Sequence, residues 1–364
     1  MKLIQKYVLR EFMLPLAYCF CTFYGLYVLC TLFSAFKKIA EAHPSTGFVI
    51  CYLTAYMSPY IVWLLPASLM LAALYTMWRF CHHSEIIAMR ANGLSYATIV
   101  TPLLSVAALA ALLCAVNQEF YAPQGREFAR RAEKSNFRPP PPDIRSLDYY
   151  NYAARRIWHV NRMNLDNPRI LEGVRITIER PDGRQKLVDI SCQRAEHLDG
   201  VWWLYNPQYR YFDEQNNLLD APTNPLLKLT VRPMPHFNEQ PRDFVIEGKE
   251  WDYLSLRDML AWIKAHPQTV ASDKLYDIHA RMAMPWACLV ITLFAIPAGV
   301  ATGRQSVFKG VLLAIALFFG FYMTTMGCAL LAKNDDIQLT PWIAAWIPNV
   351  AFLGAGVALF ARLR

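Results

Sequence analysis

Six long runs without any Asp, Glu, Lys or Arg constrain the fold of this chain more than any other feature. They cover residues 12–36, 48–78, 96–116, 282–303, 310–332 and 341–361. The hydrocarbon core of a bilayer is about 30 Å thick, so about 20 helical residues are enough to cross it. A helix satisfies all of its own backbone hydrogen bonds in lipid. The sequence therefore predicts six transmembrane helices.

The distribution of basic residues predicts which side of the membrane each loop occupies. One set of tails and loops holds nine cations, which are Lys2, Lys6, Arg10, Arg79, Arg90, Arg304, Lys309, Arg362 and Arg364. The opposite short loops hold three, which are Lys37, Lys38 and Lys333. By the positive-inside rule we expect both termini in the cytoplasm. The long segment between the third and fourth helices then faces outward, into the periplasm of a Gram-negative cell, and the protein is expected in the inner membrane.

The long segment, residues 117–277, holds 23 basic and 23 acidic residues, so the net charge of +8 belongs to the membrane part. This excess reflects membrane orientation and does not indicate binding to nucleic acid. The predicted domains are residues 1–116 with helices one to three, 117–277 outside the membrane, and 278–364 with helices four to six. The outer segment is expected to begin with a charged helical stalk over 118–138, followed by a stiff spacer of four prolines at 139–142.

Beyond the spacer the hydrophobic pattern acquires a period of two residues, which is typical of half-buried strands. Apolar and polar residues alternate over 174–179 and again over 188–193, and the intervening Pro181-Asp182-Gly183 predicts a hairpin turn. Further strands are predicted at 201–205, 209–212 and 227–231, and Ser255 is expected to cap a short helix. The fold class is therefore membrane α-helical, with six transmembrane helices arranged 3+3 and an inserted periplasmic all-β domain that is jelly-roll-like.

Motifs of known catalytic chemistry are missing from the chain. It contains no nucleotide-binding P-loop, no G-x-S-x-G, no H-E-x-x-H and no C-x-x-C. The six apolar runs also lack the carboxylates that proton-coupled transporters use. We therefore predict no catalytic residues, no metal site and no cofactor, and any ATP must be hydrolysed by another protein.

The segment 84–93, between the second and third predicted helices, is the first candidate binding site. Ser84 is expected to cap a two-turn helix and Gly93 to end it. Such a helix is not stable alone, so it must lie against another surface. It could rest on lipid headgroups or dock into a cytoplasmic partner, and the second interpretation is favoured. The residues proposed to couple to an ATPase are Glu85, Ile86, Ile87, Met89, Arg90 and Gly93.

Lys37 and Lys38 form the second candidate site, at the outer end of the first predicted helix. The positive-inside rule disfavours cations there. Paired ammonium groups would suit the phosphates of an anionic lipid headgroup. The alternative is a solvated loop whose lysines extend from the helix end into water.

The order of these parts resembles the permease subunits of the lipopolysaccharide export system, over nearly the whole chain. The segments that carry the resemblance are Tyr7 to Glu11, Glu85 to Ser95, Asn117 to Pro123, Ile190 to Ala195 with Trp203, Tyr276 to Pro285, Ile296-Pro297, and Trp346 to Asn349. The resemblance implies an ABC-type exporter in which two related permease chains enclose a cavity. A dimeric cytoplasmic ATPase would grip residues 85–93, and Lys37 and Lys38 would meet the phosphates of lipopolysaccharide.

The resemblance further implies that helices one and five form lateral gates and that a periplasmic bridge protein receives the lipid. Moving acyl chains through water would cost about 0.8 kcal/mol per CH₂, so a continuous apolar path is expected. The inward faces of the strands at 174–178 and 188–192 could line that path, or they could only close the core of the β domain. A membrane-anchored scaffold for envelope assembly and a periplasmic enzyme built on the β domain are the alternative functions.

Overall fold

The computed structural model describes residues 3–137, 143–180, 185–215, 217–219, 230–267, 271–302, 307–334 and 339–361. The chain divides into two compact units. Residues 1–138 and 271–364 form a helical unit, and residues 139–270 form a β unit. The predicted proline spacer at 139–142 and the turn at 181–183 lie outside the described residues, as do positions 227 and 229.

The helices account for most of the chain. They are α1 (Leu3–Ala42), α2 (Thr46–Met57), α3 (Ile61–His82), α4 (Glu85–Ala91), α5 (Tyr96–Val116), α6 (Ala122–Lys134), α7 (Pro241–Glu247), α8 (Leu256–Ala265), α9 (Ser272–Ala283), α10 (Ala287–Thr302), α11 (Val307–Lys333) and α12 (Pro341–Ala361). Helices α7 and α8 belong to the β unit and the others to the helical unit.

Six helical stretches in the described part of the chain are long and apolar enough to cross a membrane. They are Leu3–Ala42, Thr46–His82, Tyr96–Lys134, Ser272–Val300, Ile315–Lys333 and Pro341–Ala361. The predicted six-helix arrangement is confirmed. Several stretches extend past the uncharged runs, because charged residues are tolerated where a helix leaves the hydrocarbon.

Non-α turns interrupt three of these stretches, and two of the turns contain a proline. A 3₁₀ turn at Ser58–Tyr60 joins α2 to α3, a π turn at Asn117–Tyr121 joins α5 to α6, and a 3₁₀ turn at Met284–Trp286 joins α9 to α10. Side-chain amides supply hydrogen bonds at these breaks. Asn117 Nδ2 donates to the Ser58 carbonyl at 2.6 Å and Asn349 Nδ2 donates to the Ala283 carbonyl at 2.8 Å. Each break is therefore stabilised by a neighbouring helix.

The sequence assigned residues 118–138 to a stalk outside the membrane, and the structure packs this stretch against α2. Gly125 in α6 lies close to α2, because a Cβ there would collide with the Ala55 carbonyl oxygen. Tyr52 of α2 donates its hydroxyl to Glu133 Oε1 at 2.7 Å. Together with Ala35 of α1, these helices form a small hydrophobic cluster of their own.

The strands of the β unit are β1 (Asp143–Asn151), β2 (Arg156–Asn164), β3 (Ile170–Glu179), β4 (Lys186–Leu198), β5 (Val201–Tyr205), β6 (Gln208–Phe212), β7 (Leu218–Leu219) and β8 (Val231–Met234). The described strands form one antiparallel sheet in the order β1-β2-β3-β4-β5-β8, with β6 beside β4 and β7 beside β6. This confirms the inserted all-β region, including the β3–β4 hairpin. The strands β1 and β2 were not predicted. The predicted Ser255 cap is present, since its side chain accepts from the Asp258 N–H at the start of α8.

Residues with positive φ kink two strands of the sheet. Ser146 in β1 and Gly173 in β3 have φ values of +56° and +61°. Residues two apart in a regular strand face the same way. Across the kink Glu172 is exposed while Val174 is buried. A Cβ at Gly173 would lie 2.6 Å from Asn161 Nδ2, so the bend requires glycine at this position.

A buried charged network closes one end of the β-unit core. Arg156 Nε donates to Glu239 Oε1 at 2.9 Å, and the two side chains are 8% and 0% exposed. Asn151 Nδ2 donates to the same oxygen at 2.8 Å. Arg156 also donates to the His236 carbonyl at 3.1 Å and to Asn238 Oδ1 at 2.8 Å. The network holds the segment before α7 against β1 and β2.

Candidate functional site

The first candidate site is the short helix α4, whose C-terminal end is built by glycine. Gly93 has φ +80°, its N–H donates to the Arg90 carbonyl at 2.9 Å, and the Leu94 N–H donates to the Met89 carbonyl at 3.2 Å. This pair of bonds is a Schellman motif, which satisfies carbonyls at a helix end. The prediction that Gly93 ends the helix is confirmed.

The N-terminal end of α4 differs from the sequence-based expectation. Ser84 is the residue before the helix, but it is left-handed with φ +59° and its side chain makes no capping bond. The prediction of a Ser84 side-chain cap is wrong, because capping requires an extended backbone at that position. The Ser84 backbone carbonyl still accepts from the Ala88 N–H at 3.1 Å.

Contacts with α1, α3 and α5 hold α4 in place. Glu85 Oε2 accepts a hydrogen bond from the Tyr7 hydroxyl at 2.9 Å. Ile86 is 3% exposed and lies in the main core of the helical unit, with Met89 packed against that core. The Arg90 guanidinium carbon lies 4.5 Å from the centre of the Tyr96 ring.

Tyr7 joins the site as a residue to which the sequence assigned no role. Its ring stacks with Phe80 at a centroid distance of 5.9 Å, and one helical turn further along α1 Glu11 pairs with Arg79 of α3. The partners in each pair are 68 or more positions apart in the chain. No local sequence pattern could have connected them.

The tertiary structure divides the predicted coupling residues into two groups. Glu85, Ile86 and Met89 face the protein's own helices. Ile87 is 57% exposed and Arg90 is exposed beyond its contact with Tyr96. Ile86 and Met89 therefore pack within the chain, and Ile87 is the exposed apolar side chain of α4.

The second candidate site lies near the other end of α1. Lys37 and Lys38 are both exposed, and they point in different directions because neighbours on a helix are about 100° apart. Lys38 lines a cleft of about 280 Å³ with Glu41, Ala42, Ser135 and Asn136. Lys37 is not among the lining residues. The structure thus separates two lysines that the sequence treated as a pair.

The inward face of the sheet forms a closed core rather than an open groove. Val174, Ile176, Ile190 and Cys192 are each 7% exposed or less. They pack in one cluster with aromatic side chains of Tyr149, Trp158, Trp202, Phe237 and Phe244. Burial raises the pKa of the Cys192 thiol to about 12. In this structure the two strand segments close the core, as the second of the two interpretations held.

These features define a multi-pass membrane protein with an inserted antiparallel sheet domain. A family model described as the lipopolysaccharide export system permease LptF/LptG matches residues 6–362. The chain belongs to this family, and it is a multi-pass inner-membrane permease of lipopolysaccharide export. No curated protein sequence matches the chain at a significant level.

Proposed function

We propose that the chain is a permease subunit of an ABC-type exporter that extracts lipopolysaccharide from the outer leaflet of the inner membrane. A separate cytoplasmic ATPase dimer powers the extraction, a paralogous permease completes the cavity, and a periplasmic bridge protein receives the lipid. The observation that carries the proposal is that α4 exposes Ile87 and Arg90 while its contacts with α1, α3 and α5 hold it in place. A helix held this rigidly can transmit a movement of its partner to α1 and α3.

The geometry of α1 supports opposite locations for the two candidate sites. Tyr7 contacts α4, and Lys38 follows 31 residues later on the same 40-residue helix. At 1.5 Å per residue the two positions are roughly 46 Å apart, which is about the full thickness of a bilayer with its headgroups. With the cation-rich ends in the cytoplasm, α4 faces an ATPase and Lys38 faces the outer leaflet.

The exposure of α1 and α11 supports a second permease chain beside this one. In the most apolar 18-residue segments of α1 and α11 only 11% and 17% of the residues are buried. In the corresponding segment of the α9–α10 stretch 72% are buried. Exposed apolar side chains on α11 recur at three- and four-residue intervals from Phe308 to Leu330. Such a stripe suits packing against another helix in lipid, as expected of a lateral gate.

The edges of the described sheet support transfer to a bridge protein. The strands β1 and β8 stand at the two ends of the strand order. An edge strand can accept a strand from a partner through backbone hydrogen bonds. Because the core is filled by aromatic side chains, we expect the lipid to travel along an edge or to require opening of the sheet.

The test of ATPase coupling uses Ile87→Glu and Arg90→Glu, with Leu198→Glu as the matched control. Leu198 lies in β4 and is 43% exposed, so its substitution changes the same chemistry outside α4. We expect Ile87→Glu to weaken co-purification with the ATPase by about 2–3 kcal/mol, which is roughly 30- to 150-fold. ATP-dependent release of lipopolysaccharide from proteoliposomes should fall with it. An intact complex in both α4 variants would show that α4 is not the coupling helix.

A further inference from the structure

A small cavity lies beside the 3₁₀ turn that joins α9 to α10. Its walls include Ala283 and Met284 at this break, Thr325 of α11, and Pro348 and Asn349 of α12. The cavity has a volume of about 30 Å³, which is close to the share of one molecule in liquid water. It therefore has room for a single small molecule.

The cavity lies where two hydrophobic clusters of the helical unit meet. Tyr276 and Ala345 line it and belong to a cluster formed by α9, α11 and α12. Phe321 also lines it and belongs to the main core, against which Met284 packs. The space is therefore left at the boundary between two separately packed clusters.

Asn349 supplies a buried acceptor to this cavity. The residue is 7% exposed, and its Nδ2 donates to the Ala283 carbonyl at 2.8 Å. Its Oδ1 is buried and has no hydrogen-bond partner in the part of the chain that the structure describes. An unpaired amide oxygen in a buried site is unfavourable. A ligand that donates a hydrogen bond to this oxygen removes that cost.

Two hydroxyl side chains also line the cavity. Thr325 Oγ1 donates its proton to the Phe321 carbonyl at 2.9 Å, so this oxygen can only accept from a further partner. The Tyr276 hydroxyl can donate or accept. None of the described lining residues is charged, and a buried ion without a counter-charge is costly. A neutral molecule with two donors and one acceptor matches these groups.

We propose that this cavity binds one water molecule that links α9, α11 and α12. The water donates to Asn349 Oδ1 and Thr325 Oγ1 and accepts from the Tyr276 hydroxyl. About three hydrogen bonds are typical of a buried water. By joining these helices, the water stabilises the break at Met284–Trp286, where Pro285 supplies no backbone donor. The inference does not depend on the cargo, so it can fail without affecting the proposed function.

Radiolytic footprinting of the full chain in nanodiscs tests for the water directly. X-rays convert a bound water into a hydroxyl radical in place, and the radical oxidises a nearby methionine to its sulfoxide. Met284 lines the cavity, whereas Met77 is 0% exposed and does not line it. With a radical scavenger in the bulk solvent, we expect Met284 to be oxidised faster than Met77.

Thr325→Val and Thr324→Val form a matched pair of variants. Both remove a hydroxyl that donates to the carbonyl four residues earlier, but only Thr325 lines the cavity. Thr325→Val should lower the rate of Met284 oxidation by up to about fivefold, as expected for the loss of one hydrogen bond to the water. Thr324→Val should leave that rate unchanged. Tyr276→Phe removes the third partner, and combining it with Thr325→Val should lower the rate further than either change alone.

Two results would overturn the inference. Oxidation of Met284 no faster than that of Met77 in the wild type would show that the cavity holds no water. Equal rates of Met284 oxidation in the Thr324→Val and Thr325→Val variants would show that the cavity's hydroxyl does not bind one. Thermal melting in detergent checks that each variant keeps its fold.

Discussion

Replacing Arg156 with Met tests whether the buried charged network stabilises the β unit. Arg156 donates to Glu239, Asn238 and the His236 carbonyl, and its guanidinium carbon lies 4.3 Å from the centre of the Phe237 ring. Methionine keeps much of the side-chain volume and removes every one of these donors. The Glu239 carboxylate then remains fully buried with Asn151 as its remaining donor among the described side chains.

The size of the expected effect follows from the burial of the pair. Removing one member of a buried ion pair usually costs about 3–5 kcal/mol, because the other charge is left without compensation. Domains of this size are stable by only about 5–15 kcal/mol. We therefore expect Arg156→Met to raise the opening equilibrium of the β unit by roughly one hundredfold to several thousandfold.

Alkylation of Cys192 measures that opening in the full chain. The thiol is 7% exposed, and burial raises its pKa to about 12, so the native protein should react slowly at pH 8. The thiolate is the reactive form, and it becomes available when the core opens. Pulse labelling with iodoacetamide, followed by peptide mass spectrometry, separates Cys192 from the cysteines of the helical unit. The labelling rate of Arg156→Met should rise in proportion to the opening equilibrium.

A control and a double variant make this prediction specific. Arg175 in β3 is exposed, and its side chain makes no ion pair or hydrogen bond within the described ranges, so Arg175→Met should leave the Cys192 rate nearly unchanged. Combining Arg156→Met with Glu239→Leu removes both charges and should recover most of the lost stability. A rate for Arg156→Met within about threefold of wild type would refute the reasoning.

Two further predictions concern the contact of α2 with α6 and the pH dependence of the β unit. Gly125→Ala places a Cβ against the Ala55 carbonyl and should destabilise the helical unit by about 1–3 kcal/mol, read as a lower melting temperature in detergent. Gly47→Ala in α2 is the control, because no atom lies within 4 Å of its added Cβ. Burial, and then the charge of Arg169, lower the pKa of His197 from 6.5, so the folded state disfavours protonation. The contribution of His197 to the free energy of unfolding should be complete above about pH 6.5. It should decline as the pH falls from there through the lowered pKa of the folded state, by at most about 1.4 kcal/mol per pH unit. Urea unfolding of wild type and His197→Gln at pH 7.5 and 5.5 should show a smaller loss in the variant, and equal losses would contradict the assignment.

The sequence predicted the strands best where the two-residue period was unbroken. The β3–β4 hairpin was found because Val174 and Ile176 alternate with polar residues, as Val188 and Ile190 do. The strand β1 was missed because the backbone at Ser146 changes the in-out phase in the middle of the strand. A period-based prediction cannot detect a strand whose alternation reverses halfway.

The candidate sites show a similar limit. The short helix α4 was located from its glycine stop, which is a local signal. Which of its residues are exposed depends on contacts with Tyr7 and with the core of the helical unit. The residues that make those contacts come from other parts of the chain. The cleft beside Lys38 could not be predicted, because Ser135 and Asn136 are about 100 residues away in sequence.

The sequence by itself determined the membrane architecture of this protein. Lipid excludes charged side chains and unpaired backbone groups, so composition along the chain is enough to locate the helices. Tertiary structure alone decided that Ile87 rather than Ile86 is exposed and that Lys38 rather than Lys37 faces a cleft. It also decided that the carboxylate of Glu239 neutralises the buried charge of Arg156. The physical reason is that burial and hydrogen bonding depend on neighbours in space, and the chain brings those neighbours together only when the helices and strands have packed.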